Sequence, residues 1–169
     1  MQEISFRNDI LPLKDRLYRL ALRIALDRAE AEDIVQDTLI RVWNQRAEWP
    51  GIESIEAYCL TVCRRIAIDR TRLKEHQNEA LGEEAAQVSD EGNPYETMVT
   101  EERVKLLHRL VSQLPEKQRS VMQLRDVEGK SYKEIATILE MSEEQVKVTL
   151  FRARQRIKEQ FIHIENYGL

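Results

Sequence analysis

The chain has 169 residues, 42% hydrophobic and 33% charged, with a formal charge of −4. That length fits one ordinary domain or two small ones, and only five Gly and four Pro favour long helices over many short strands. No apolar run approaches a membrane span, and the opening MQEISFRNDI lacks a secretory hydrophobic segment, so a cytoplasmic location without membrane insertion is expected.

The first half reads as three helices. Pro12 suits the first turn of a helix that buries Leu13, Leu17, Leu20, Ala21 and Ile24. A polar turn near Asp27 leads into AEDIVQDTLIRVWNQ, whose apolar side is Ile34, Val35, Thr38, Leu39 and Val42, with Trp43 beside it. Asp33, Gln36, Asp37 and Arg41 are left on its outer face. Pro50 and Gly51 end that element, and a third helix starts near Ser54. Running through YCLTVCRRIAIDRTRLKE, it buries Cys59, Val62, Cys63 and Ile66 and gathers Arg64, Arg65, Arg70, Arg72 and Lys74 outside, against Asp69 and Glu75. Cys59 and Cys63 fall on adjacent turns, a spacing that suits neither a disulfide nor a zinc site without further ligands. They read as small core residues, and no cofactor or metal is expected.

Charge divides the chain. Residues 1–75 are balanced, with 13 basic and 13 acidic residues, and residues 103–169 are basic, with 13 against nine. Residues 76–102 hold eight acids and no Lys or Arg, together with Gly82, Gly92, Asn93 and Pro94. The expectation is an all-α protein of two small helical domains, 1–75 and 103–169, joined by an acidic linker.

In the second half, Val104, Leu107, Leu110, Val111 and Leu114 form a stripe on one long helix. Pro115 stops it and starts another that carries Val121, Met122 and Leu124. Lys130 to Lys158 then reads KSYKEIATILEMSEEQVKVTLFRARQRIK. Ser131 with Glu134, and Ser142 with Gln145, are two capping boxes that each start a helix. The first helix carries Ile135, Ala136 and Leu139 on one side; the second carries the stripe Val146, Leu150, Ala153 and Ile157. Only Glu140 and Met141 separate the first from the second cap, so the pair reads as a helix-turn-helix. Between Gln145 and Lys158 the second helix has five basic residues and no acidic one. A basic recognition helix reads bases with its N-terminal half, which makes Lys147, Val148, Phe151 and Arg152, with Ser142 and Gln145 at the helix start, candidate DNA-contacting residues.

Taken together, AEDIVQDTLIRVW, AYCLTVCRRIAIDRTR, the acidic linker, LPEKQRSVMQLRDVEGKSYKEIATILEMS and VKVTLFRARQRI resemble a bacterial RNA polymerase sigma factor. The likeness is to the sigma-70 family's extracytoplasmic-function (ECF) group, which keeps only sigma regions 2 and 4. It implies that Asp33, Gln36, Asp37 and Arg41 dock on the β′ clamp helices of core RNA polymerase. It implies contact with the −10 promoter element by the following loop and helix, through Trp49, Arg64, Arg65, Asp69, Arg70 and Arg72. There the arginines supply cations for a displaced strand, and Trp49 either stacks on a base or caps the domain's core. Family members commonly carry Asn where this chain has Arg65, so a known −10 sequence does not transfer. The resemblance gives the second domain the −35 element and the β flap, and adds an anti-sigma factor as a partner. For the linker, a path through the polymerase RNA exit and a soluble tether both fit the composition.

A helix-turn-helix repressor or activator acting without polymerase is the alternative, though no heptad run offers a dimer surface. A pure interaction protein is disfavoured by the basic recognition helix. Catalysis is not expected, since no metal-ligand spacing, phosphate-binding loop or nucleophile motif is present.

Overall fold

The computed structural model describes residues 3–81 and 98–167, and every regular element among them is helical. Ser5 caps a π-helical turn, Phe6–Ile10, and a 3-10 turn, Leu11–Leu13, places Pro12 ahead of the first α-helix, α1 (Lys14–Ala25). The chain reverses at Leu26, which takes a left-handed conformation (φ 56°) and donates its N–H to Leu22 O. Asp27 then caps α2 (Arg28–Asn44) by accepting from the Glu30 N–H at 3.0 Å. A 3-10 segment, Arg46–Gly51, turns the chain into α3 (Ile55–Leu81).

The second half comprises α4 (Met98–Ser112), α5 (Glu116–Met122) with a π-helical continuation to Val127, α6 (Tyr132–Leu139) and α7 (Glu143–Tyr167). Helix α3 thus runs on into the acidic stretch and α4 begins within it; residues 82–97, with Gly82, Gly92, Asn93 and Pro94, lie outside the described residues. Gly129, at φ 69°, supplies the left-handed turn that leads to α6.

Helices α1, α2 and α3 pack on one another around Leu17, Leu20, Ile24, Ile34, Val42, Leu60 and Cys63. This core does not stop at the end of the first half. Val121, Leu124, Ile135, Ile138, Leu139, Val146 and Leu150 belong to the same buried cluster, because α5 lies on α1 and α6 lies on α3. A smaller cluster of Leu110, Val111, Leu114, Ala153 and Ile157 joins α4 to α7. Val104 and Leu107, expected in that stripe, are 39% and 41% exposed.

Polar groups tie the halves as well. Arg19 grips both oxygens of Glu128 with one edge of its guanidinium, Nε and Nη2 donating at 2.6 and 3.0 Å. Glu56 pairs with Arg16 at 2.9 Å and with Lys130. Arg119 donates to Arg23 O and Ile24 O at 2.6 and 3.1 Å, satisfying carbonyls that the end of α1 leaves without helical partners.

Candidate nucleic-acid and polymerase interfaces

The helix-turn-helix is built by its caps. In the first box Glu134 N donates to Ser131 Oγ at 3.1 Å, and Ser131 N to the Glu134 carboxylate at 3.3 Å. In the second, Gln145 N donates to Ser142 Oγ at 3.1 Å and Ser142 N to Gln145 Oε1 at 2.9 Å. Between them Glu140 adopts a left-handed conformation (φ 57°) and sends its N–H to Ala136 O, which closes α6 and sets the turn. Ser142 and Gln145 therefore spend these side-chain groups on starting α7.

With Val146, Leu150, Ala153 and Ile157 buried, α7 turns its opposite face outward. Val148 is 46% exposed and Phe151 69%, while Lys147 and Arg152 are also exposed. The Lys147 ammonium lies 5.6 Å from the centre of the Tyr132 ring, whose face also carries the Arg125 guanidinium at 4.4 Å. Arg154 is paired with Asp126 and so is tied back to the domain. The four candidate readers stand on one exposed, cationic and partly apolar surface.

A second surface lies on α2. Asp33, Gln36, Asp37 and Arg41 are all exposed, as their spacing predicts. Apolar neighbours adjoin them, of which Ile40 and Phe6 had no place in the expected helix face. Ile40 is 58% exposed and Trp43 45%, and with Phe6 and Leu39 they line a shallow groove. Trp43 meets Phe6 edge to face at 5.4 Å and carries the Arg46 guanidinium 4.6 Å above its ring. The signal was in the sequence: Ile40 falls among the polar outward positions of α2.

The third group, on and before α3, is divided. Trp49 is 7% exposed and donates its indole N–H to Val42 O at 3.1 Å, so it caps the core, the second of its two expected roles. The Arg64 guanidinium spans both oxygens of Glu116 at 3.2 Å each and reaches Leu139 O at 3.5 Å. Arg65 pairs with Glu140. Arg70 is held by Glu30, Asp37 and Asp33 on α2. Asp69 and Arg72 are exposed. The carboxylates of Glu116 and Glu140, unmarked in the sequence, thus meet the adjacent cations of α3.

Among the described residues there is no group of side chains that could hold a metal ion, and no helix is long and apolar enough to cross a membrane. Comparison with known proteins decides the family. The model for sigma-70 region 2 matches residues 10–77, and that for sigma-70 region 4 matches residues 105–157. The ECF RNA polymerase sigma factor SigL of Mycobacterium tuberculosis is 33% identical over 144 residues, 84% of this chain and 80% of that protein. The chain belongs to the sigma-70 family, in its ECF group.

The ECF sigma factor SigX of Bacillus subtilis is 31% identical over 141 residues, 80% of this sigma factor and 73% of SigX. Among solved structures, RpoE of Bartonella quintana in complex with the anti-sigma factor NepR gives a TM-score of 0.74 at 25% identity, covering 91% of this chain and 94% of that one. CnrH, in complex with the cytosolic domain of CnrY, shares the fold with a TM-score of 0.67 at 18% identity, covering 94% of this chain and 88% of that one. Sigma factors are not enzymes.

Proposed function

We propose that this sigma factor binds core RNA polymerase through the outer face of α2, directs it to a two-part promoter and helps open the −10 side. The recognition helix α7 reads the −35 element with Lys147, Val148, Phe151 and Arg152, set by the cap at Ser142 and Gln145. Region 2 meets the −10 element with Arg64, Arg65, Asp69 and Arg72, whose cations suit an unstacked, displaced strand. The observation that carries the reading is the exposed face of α7 behind a fully capped turn. Its four outward residues combine cations for phosphate with apolar groups for base edges.

Two consequences follow from the geometry. Arg64 spends Nε and Nη2 on Glu116 and Nη1 on Leu139 O, so −10 contact through it requires it to leave α5 and the end of α6, whereas Arg65, 60% exposed, is less committed. Exposed Val104 and Leu107 on α4 offer region 4 an apolar contact for the β flap or for an anti-sigma factor. The likeness over 91% of the chain to a sigma factor solved with its anti-sigma factor supports such a partner here.

The test is transcription from a library of genomic fragments by core polymerase with and without the chain. Run-off products that depend on the chain and share two spaced sequence elements are expected. Tight duplex binding by the free chain, with no chain-dependent transcript, would favour a repressor instead.

A further inference from the structure

Arg70 sits on α3 within the stretch whose likeness to sigma factors implies −10 contact, yet its guanidinium faces α2. Its Nε lies 2.6 Å from Glu30 Oε1, Nη1 lies 2.8 Å from Asp37 Oδ2 and Nη2 lies 3.4 Å from Asp33 Oδ2. Every nitrogen of the fork is thereby engaged, and the side chain is 33% exposed. Glu30, Asp33 and Asp37 are spaced three and four apart on α2, so they share one face and repel one another. A planar guanidinium between them offsets that repulsion and fixes the carboxylates in direction, which a point-charge ammonium does less well. Asp33 and Asp37 remain 58% and 48% exposed, each with an oxygen that Arg70 does not hold. Three carboxylates against one guanidinium leave the cluster acidic and suited to a basic partner surface. One turn along, Lys74 pairs with Asp27 at 3.6 Å and closes the same seam between α2 and α3.

We infer that Arg70 is a positioning residue for polymerase binding: it orients Asp33 and Asp37 toward a basic surface of core polymerase and does not itself touch −10 DNA. The inference rests on the proposal that α2 docks on polymerase. The energetic logic is pre-organisation, because carboxylates already ordered lose less freedom on binding. Moving the guanidinium to a phosphate would break two short charge-assisted hydrogen bonds and leave three like charges facing one another.

The experiment measures the affinity of the full chain for core RNA polymerase with Arg70→Ala, Arg70→Lys, Asp37→Ala and the double variant Arg70→Ala/Asp37→Ala. The salt dependence of binding between each polymerase complex and a mixed-sequence single-stranded DNA, and the free chain's melting temperature, are followed alongside. Arg70→Ala is expected to weaken polymerase binding about three- to tenfold, Arg70→Lys less, and the double variant no more than the stronger single change. The single-strand salt slope is expected to stay as in the wild type. A slope smaller by about 0.7, with polymerase affinity unchanged, would make Arg70 a phosphate contact and overturn the inference. So would additive losses in the double variant, or a lower melting temperature with unchanged polymerase affinity. If the wild type itself does not bind polymerase, the docking proposal fails first and the role of Arg70 falls with it.

Discussion

Arg64 and Glu116 stand 52 residues apart in sequence, yet they form a two-oxygen ion pair with side chains only 14% and 21% exposed. One residue along α3, Arg65 pairs with Glu140 through one carboxylate oxygen only, with side chains 60% and 50% exposed. Cations suited to a displaced DNA strand are thus neutralised by region 4. Replacing both acids (Glu116→Gln with Glu140→Gln) should loosen the halves and free the cations. A larger radius of gyration in X-ray scattering and several-fold tighter binding of single-stranded DNA by the free chain are expected. An unchanged radius and affinity would show that the two pairs do not hold the arrangement closed.

Acid should open the same interface. The Arg19 guanidinium, hydrogen-bonded to Glu128, holds that carboxylate below its ordinary value of 4.5, with Gln123 adding to the effect. A group whose pKa is lowered in the packed state stabilises that state fully above its ordinary value, and the contribution is lost as pH falls through the lowered one. The radius of gyration should therefore hold steady at neutral pH and rise below about pH 4.5. In Glu128→Gln that part of the response should be missing, while a transition identical to the wild type would place the acid sensitivity elsewhere.

Salt should separate the two kinds of residue on α7. Each phosphate contact contributes about −0.9 to the log–log salt slope for duplex DNA. Lys147→Ala and Arg152→Ala, assayed as polymerase complexes on mixed-sequence duplex, should each flatten the slope by about that amount. Val148→Ala and Phe151→Ala should leave the slope alone and narrow the preference between promoter and random fragments. A flattened slope in the apolar variants would contradict this division.

The thiols should be silent. Burial pushes both Cys59 and Cys63 up to about 12, and each has no exposed surface. Since the thiolate is the reactive form, iodoacetamide at pH 8 should label the folded chain far more slowly than the unfolded chain. Mass spectrometry reads the difference directly; rapid labelling of either cysteine without denaturant would show the three-helix core to be open.

Local structure was the most legible part of the sequence. Both serine capping boxes form, the polar turn near Asp27 leads into α2, and Val146, Leu150, Ala153 and Ile157 are buried as their spacing requires. These signals act within one turn, so they are written in neighbouring residues. The packing of the halves is not local. Neither Glu116 nor Glu140 differs in its surroundings from an ordinary solvated acid, and Ile138, buried with the region 2 core, lies off the stripe that periodicity picked out. The same limit explains Arg70, which reads as one of several outward cations until α2 is placed beside it. Val104 and Leu107 erred the other way: their spacing fits a stripe that α7 is not placed to cover.

Polymerase binding tests the account most directly. The affinity of the full chain for bacterial core RNA polymerase should be measured for the wild type, Asp33→Ala and Gln36→Ala. Stable binding by the wild type, weakened by each substitution without a change in melting temperature, is the predicted result. Absence of binding, with tight binding of duplex DNA by the free chain, would contradict it.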